Sequence, residues 1–126
     1  MILILGGIYQ GKLAYAQERF SLTDDDVYRC SEEDSAIPEN KKIIYEIDKW
    51  VLALITANAD VAEAVQRFIA ANAEAVVICN DISCGIVPID AIHRKWRETV
   101  GRILAELSCC SSEVVRLFCG IPTKLK

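Results

Sequence analysis

The residues Ile2 to Lys12, ILILGGIYQGK, constrain this chain more than any others. A short apolar run breaks at Gly6-Gly7, crosses Ile8, Tyr9 and Gln10, and reaches Gly11-Lys12 at the head of a helix-like stretch. Strand, glycine loop, helix is the order a phosphate cradle requires. Glycines let the backbone curl so that successive N–H groups point at an anion, the helix adds its positive end, and the lysine reaches the outer phosphates. On this reading Gly6, Gly7, Ile8, Tyr9, Gln10, Gly11, Lys12 and Leu13 form a nucleotide-binding loop. The spacing Gly6-x4-Gly11-Lys12 fits, but Leu13 stands where a Ser or Thr hydroxyl normally ligates magnesium. The same residues also suit a plain strand-to-helix turn.

A chain of 126 residues is expected to form one domain, 1–126, large enough for a single core. Apolar residues make up 52%, yet no run approaches the roughly 18 that a membrane span needs. The N-terminal apolar run leads into Gly-Gly rather than a cleavage site, so a cytoplasmic protein is expected. The net charge of −4, with the acids concentrated in the first half, argues against a nucleic-acid partner. Six cysteines lack any CxxC spacing and sit mostly in apolar surroundings, so buried or idle thiols are expected rather than disulfides or zinc.

Further along, helix periodicity predicts a helix over Gly11–Phe20. An acidic stretch follows over residues 21–42, with a short strand at Val27–Cys30 and a turn at Pro38-Glu39-Asn40. Asp24-Asp25-Asp26 reads as a solvated acidic loop. Ile43-Ile44-Tyr45 predicts a buried strand closing on Glu46 and Asp48. Either acid can hold magnesium through water or polarise an attacking group, and either can simply cap the next helix. Asp60 with Glu63 predicts the capped start of another helix. Ala75–Cys79 is a continuous β-rich run, as in a strand buried on both faces, and it ends in Asn80-Asp81, where ligands of parallel sheets gather. A long helix is predicted over about residues 89–108, with Ile92, Trp96, Val100, Ile103, Leu104 and Leu107 facing the core. Arg94, Arg97 and Gly101 lie on a neighbouring stripe, suited to gripping a phosphate or a partner's carboxylate, or to facing water. A last strand is predicted over Val114–Cys119. Strands alternating with helices imply an α/β fold with a mostly parallel sheet covered on both faces.

The segment Asn80-Asp81-Ile82-Ser83-Cys84-Gly85-Ile86-Val87-Pro88 closely resembles the Asn-Glu-Val-Gly-x-Gly-Ile-Val-Pro segment of the adenosylcobinamide kinase/adenosylcobinamide-phosphate guanylyltransferases. The resemblance continues through Arg94, Trp96, Arg97, Glu98 and Gly101, and into Glu113-Val114, Gly120-Ile121-Pro122 and Leu125-Lys126. Gly6 to Lys12 is similar to the family's Gly-Gly-x-x-x-Gly-Lys loop. The resemblance implies a P-loop fold of RecA-like, three-layer type, with ATP or GTP as phosphate donor and cobinamide, a corrinoid, as acceptor. It also implies a homotrimer with sites between subunits.

Carried onto this chain, the resemblance gives Lys12 and the loop amides to the triphosphate, with Arg94 and Arg97 nearby. Glu46 and Asp81 become the catalytic acids that hold Mg2+ through water. The family's guanylylated histidine falls in a segment that is short and acidic here, and the single histidine, His93, lies far away. Leu104-Ala105 replaces the family's Asn-Gln pair. A kinase-type function without the guanylyl-transfer step is the expectation. The alternative is a catalytically degenerate nucleotide-binding or regulatory homologue.

Overall fold

The computed structural model describes residues 1–39 and 41–126; of the turn expected at Pro38–Asn40, Asn40 lies outside the described residues. Alternating strands and helices build one six-stranded sheet. Its strands are β1 (Ile2–Gly6), β2 (Val27–Arg29), β3 (Ile43–Tyr45), β4 (Val76–Asn80), β5 (Glu113–Phe118) and β6 (Ile121–Lys124). They lie in the order β2-β3-β4-β1-β5-β6, parallel throughout except for β6, which runs antiparallel to β5. The helices are α1 (Lys12–Phe20), α2 (Ile47–Thr56), α3 (Val61–Ala71) and α4 (Ala91–Cys110). This is the three-layer α/β arrangement the sequence predicts.

Strand alternation sorts the core into two halves. Leu3, Ile44, Val77 and Val114 point to the face covered by Trp50, Val51 and Leu54 of α2, Val65 and Phe68 of α3, and Val100, Ile103 and Leu107 of α4. Ile4, Ile43, Ile78, Val115 and Leu117 point the other way, against Ala16 of α1 with Leu13 and Phe20 beside it. Every residue of β4 is buried, as the unbroken apolar run requires for a strand packed on both faces.

Local chemistry sets the helix ends. Asp60 accepts from the Glu63 N–H at 3.0 Å and caps α3, as its spacing predicts. Asp90 does the same for α4 through the His93 N–H at 2.9 Å. Two indoles tie layers together: Trp50 Nε1 donates to Ser35 O at 2.7 Å, and Trp96 Nε1 to Asp48 O at 2.6 Å.

Three expectations change. Ile92 is half exposed, so the buried stripe of α4 starts nearer Val100, with Trp96 and Leu104 only partly covered. The chain does not stop pairing after Phe118: Cys119 and Gly120 both take positive φ, close a tight turn, and return the chain as β6. Only Cys30 and Cys79 are buried; Cys84, Cys109, Cys110 and Cys119 are exposed, because they sit in loops and on the last turn of α4. No helix of the described residues is long and apolar enough to cross a membrane.

Candidate phosphate-binding site

The glycine loop emerges where β1 ends between β4 and β5, with Gly6 level with Asn80 on one side and Leu117 on the other. Glycine is needed twice. A Cβ on Gly6 lies 2.4 Å from Leu117 O, and Gly11 enters α1 with φ 80°, a left-handed conformation that a side chain resists. Between them Ile8 is exposed and Tyr9 is 99% exposed with φ 59°. Gln10 reaches sideways, and its Oε1 accepts from the Cys119 N–H, fixing the loop to the β5–β6 turn.

Lys12 is only 3% exposed, and its ammonium donates to Gly7 O at 2.5 Å inside the loop. Burial pushes its pKa below the ordinary lysine value; the opposing influences are the charge of Asp48, then Cys79 and Glu46. Leu13, one position on, packs against the α1-side core instead of facing the loop's mouth as a hydroxyl would.

The three acids around this end of the sheet differ in their surroundings. Glu46 caps α2 from a left-handed backbone, φ 62°, and its Oε2 is paired with Lys49 at 3.0 Å and Arg29 at 3.4 Å. Backbone strain at a non-glycine residue clusters at functional positions. Asp48 is 2% exposed and accepts from the Asn80 N–H at 3.0 Å and Asn80 Nδ2 at 3.2 Å. Burial pushes its carboxyl above the usual range, and Asn80 opposes this. Asp81, whose N–H is bonded to Gly6 O at 2.9 Å, accepts from the Ser83 hydroxyl at 2.5 Å and the Cys84 thiol at 3.3 Å. Burial pulls Asp81 upward, but these bonds, the Ser83 amide and Arg116 outweigh it and leave the carboxyl below its ordinary value.

Asp81 therefore sits beside the glycine loop, whereas Glu46 lies two strands away, at the end of β3, and is committed to two cations. Asp48 is the residue that sequence reasoning underweighted. Its signal was an acid on the buried stripe of an apolar helix, three and four residues before Val51 and Leu52. Arg116, 3.9 Å from Asp81, gave no motif at all.

Arg94 and Arg97 are turned to the loop between β4 and α4. Arg97 donates to Gly85 O at 3.2 Å and to Ser83 O, and Arg94 to Pro88 O at 3.2 Å and to Ile89 O. They brace this loop with its exposed Ile86, Val87 and Ile89. Arg97→Ala is expected to speed limited proteolysis within residues 83–89 several-fold; an unchanged cleavage rate would show that the loop holds itself.

A separate cleft of about 440 Å³ opens between Ser35–Glu39, α2 and α3, floored by Trp50, Leu54 and Phe68. It contains none of the phosphate-loop residues, and the chemistry described above lies elsewhere. Among the described residues no group of three or more His, Cys, Asp or Glu side chains is placed to hold a metal ion alone.

The family model described as cobinamide kinase / cobinamide phosphate guanyltransferase matches residues 33–125. Among curated proteins, the bifunctional adenosylcobalamin biosynthesis protein CobU of Escherichia coli (strain K12) is 29% identical over 69 residues, which cover 55% of this chain. That alignment spans only 38% of the relative's own length. The family match begins after α1, so the glycine loop stands on its own residues and geometry.

Proposed function

Because the chain belongs to the cobinamide kinase / cobinamide phosphate guanyltransferase family, we propose that it is a kinase-type protein that moves the γ-phosphoryl group of ATP or GTP onto a hydroxyl of a corrinoid such as cobinamide. The observation that carries this reading is the loop itself: Gly6 to Lys12 between β1 and α1, with the Lys12 ammonium buried against Gly7 O. On nucleotide arrival Lys12 exchanges that carbonyl for phosphate oxygens, and the loop N–H groups and the α1 N-terminus neutralise the remaining charge. Phosphoryl transfer depends mainly on positioning and charge neutralisation, which these groups supply.

The donor set suits magnesium only in part. Leu13 offers no oxygen and Glu46 is engaged by Arg29 and Lys49, but Asp81 is a hard, ionised oxygen donor next to Gly6. We assign Asp81 rather than Glu46 to the ion, through water. Held there, the ion would supply neutralisation of triphosphate charge. The guanylyl-transfer step is absent on this reading: the only histidine, His93, is held at the start of α4 by Asp90 at 3.0 Å. The chain's net charge of −4 argues against a nucleic-acid substrate.

Calorimetry with ATP and GTP, with and without magnesium, followed by a phosphate-transfer assay on cobinamide, tests the proposal. Binding together with phosphorylated cobinamide supports it, and no binding removes it. Intact mass after incubation with GTP is expected to stay unchanged; a gain of one GMP would restore guanylyl transfer. Binding without turnover selects the second reading, a degenerate nucleotide-binding or regulatory homologue, which Leu13 specifically favours.

Leu13→Ser is expected to make nucleotide binding more magnesium-dependent, at a stability cost of about 1–2 kcal/mol for the lost apolar contact. Titration with and without the ion checks this; an unaltered requirement would mean that residue 13 lies outside the ion's reach. A homotrimer is also proposed. Support comes from the exposed Ile86, Val87 and Ile89 beside the site, together with Phe118 and Ile121 at the β5–β6 turn. Light scattering giving a monomer of 14.0 kDa would exclude it.

A further inference from the structure

We propose that the hollow on the α4 side of β5 and β6 is a purine-base subsite, with Arg116 the residue that selects guanine over adenine. What the base is attached to rests on the kinase reading; the preference for guanine rests on the hollow's own residues. Strand alternation builds the hollow. Val114, Arg116 and Phe118 share one face of β5, and the antiparallel register sets Thr123 opposite Arg116 and Ile121 opposite Phe118. Val114 is buried with Val100, Ile103 and Leu107 of α4, whereas Phe118 is 68% exposed and Leu125 58%. Helix α4 therefore covers the start of β5 and leaves the rest of this face open. The result is a hollow of about 370 Å³ lined by Arg116, Phe118, Thr123 and Leu125, large enough for a small ligand.

Arg116 is the one charged residue of that lining. Asp81 Oδ2 lies 3.9 Å from its Nη2, too far for a hydrogen bond, so this pairing leaves the guanidinium fork uncommitted. Phe118 and Leu125 offer apolar surface to the faces of a flat ring, and Thr123 adds a hydroxyl. A guanidinium fork matches two acceptors side by side, and guanine presents such a pair in O6 and N7. Adenine presents its exocyclic amine beside N7, and a guanidinium has no acceptor to meet that donor. A bare phosphate would find a single cation in apolar surroundings here, whereas the glycine loop offers it a lysine and a helix end.

The hollow also adjoins the glycine loop. Arg116 is level with Leu5, the residue before Gly6, across the β1–β5 pairing. Asp81, its neighbour, donates its N–H to Gly6 O. On the far side Gln10 Oε1 accepts from the N–H of Cys119, which directly follows Phe118. A nucleotide whose phosphates occupy the loop can thus lay its base against Arg116 and Phe118.

Titration calorimetry compares wild type with Arg116→Met, using GTP, ATP, a deaza analogue of GTP lacking N7, and tripolyphosphate. Wild type is expected to bind GTP about tenfold tighter than ATP or the deaza analogue. In the variant this preference is expected to vanish through weaker GTP binding, with ATP and tripolyphosphate affinities unchanged. Equal binding of GTP and ATP by wild type overturns the proposal, as does a preference that the variant keeps. A variant that loses tripolyphosphate as much as GTP places Arg116 on the phosphates, which also overturns it. If the substitution alters only the mass seen by light scattering, the face belongs to a second copy and the base subsite falls. Should the variant fail to fold, GTP against the deaza analogue on wild type decides. Wild type that binds no triphosphate removes the kinase reading, and guanosine against adenosine in ligand-observed NMR still judges the hollow: selective guanosine binding supports the subsite, equal or absent binding overturns it.

Discussion

Replacing Lys12 by alanine is expected to weaken ATP or GTP binding by about 1.5–3 kcal/mol, roughly ten- to hundredfold, the scale of a charge-assisted hydrogen bond. The magnitude follows from where the ammonium sits. It is buried within the loop and bonded to Gly7 O, so it can exchange one oxygen for a phosphate oxygen without crossing water. Its loss also leaves Gly7 O without its donor inside the loop, so the alanine variant should lose folding stability as well. Calorimetric titration separates the two effects at a temperature where the variant remains folded. An unchanged dissociation constant would reduce the glycine loop to a turn.

Gly6→Ala is expected to destabilise the fold by about 2–4 kcal/mol, large for a single methyl group. The added carbon lies 2.4 Å from Leu117 O and 3.3 Å from Leu117 C, both backbone atoms of the neighbouring strand. A clashing side chain can rotate aside, but here β1 and β5 would have to separate, which disrupts their pairing. Gly7→Ala is the control, since its Cβ meets only the flexible Gln10 side chain at 3.4 Å and should cost less than about 1 kcal/mol. Urea unfolding of both variants gives the comparison. Equal midpoints would mean that the sheet end yields easily.

The sequence was most informative where one residue pattern answered to one physical demand. The run at residues 75–79 had to be a strand buried on both faces, and Asp60 with Glu63 had to start a helix; both do. The glycine spacing likewise located a loop at the carboxyl end of a central strand. Patterns failed where the deciding partner lay far along the chain. Nothing local separates Glu46 from Asp48: the first meets Arg29 and Lys49, the second meets Asn80, and only the β3–β4 pairing brings Asn80 there. Arg94 and Arg97, expected either to grip an anion or to face water, donate here to carbonyls of the loop between β4 and α4, a partner their spacing does not announce. Strand β6 escaped notice because all four of its residues are exposed, so no apolar alternation marks it.

The placement of β1 bears on how the molecule assembles in time. The first strand of the chain finds its neighbours only at residues 76–80 and 113–118. Closing such long intervals is slow compared with forming helices, whose contacts are local. Helices α1, α2 and α3 can therefore flicker into existence while Gly6 to Lys12 still lacks the strand ends that shape it. Acquisition of the phosphate loop should coincide with the last cooperative step of folding, so recovery of ligand binding and recovery of protected β1 amides should follow a single time course.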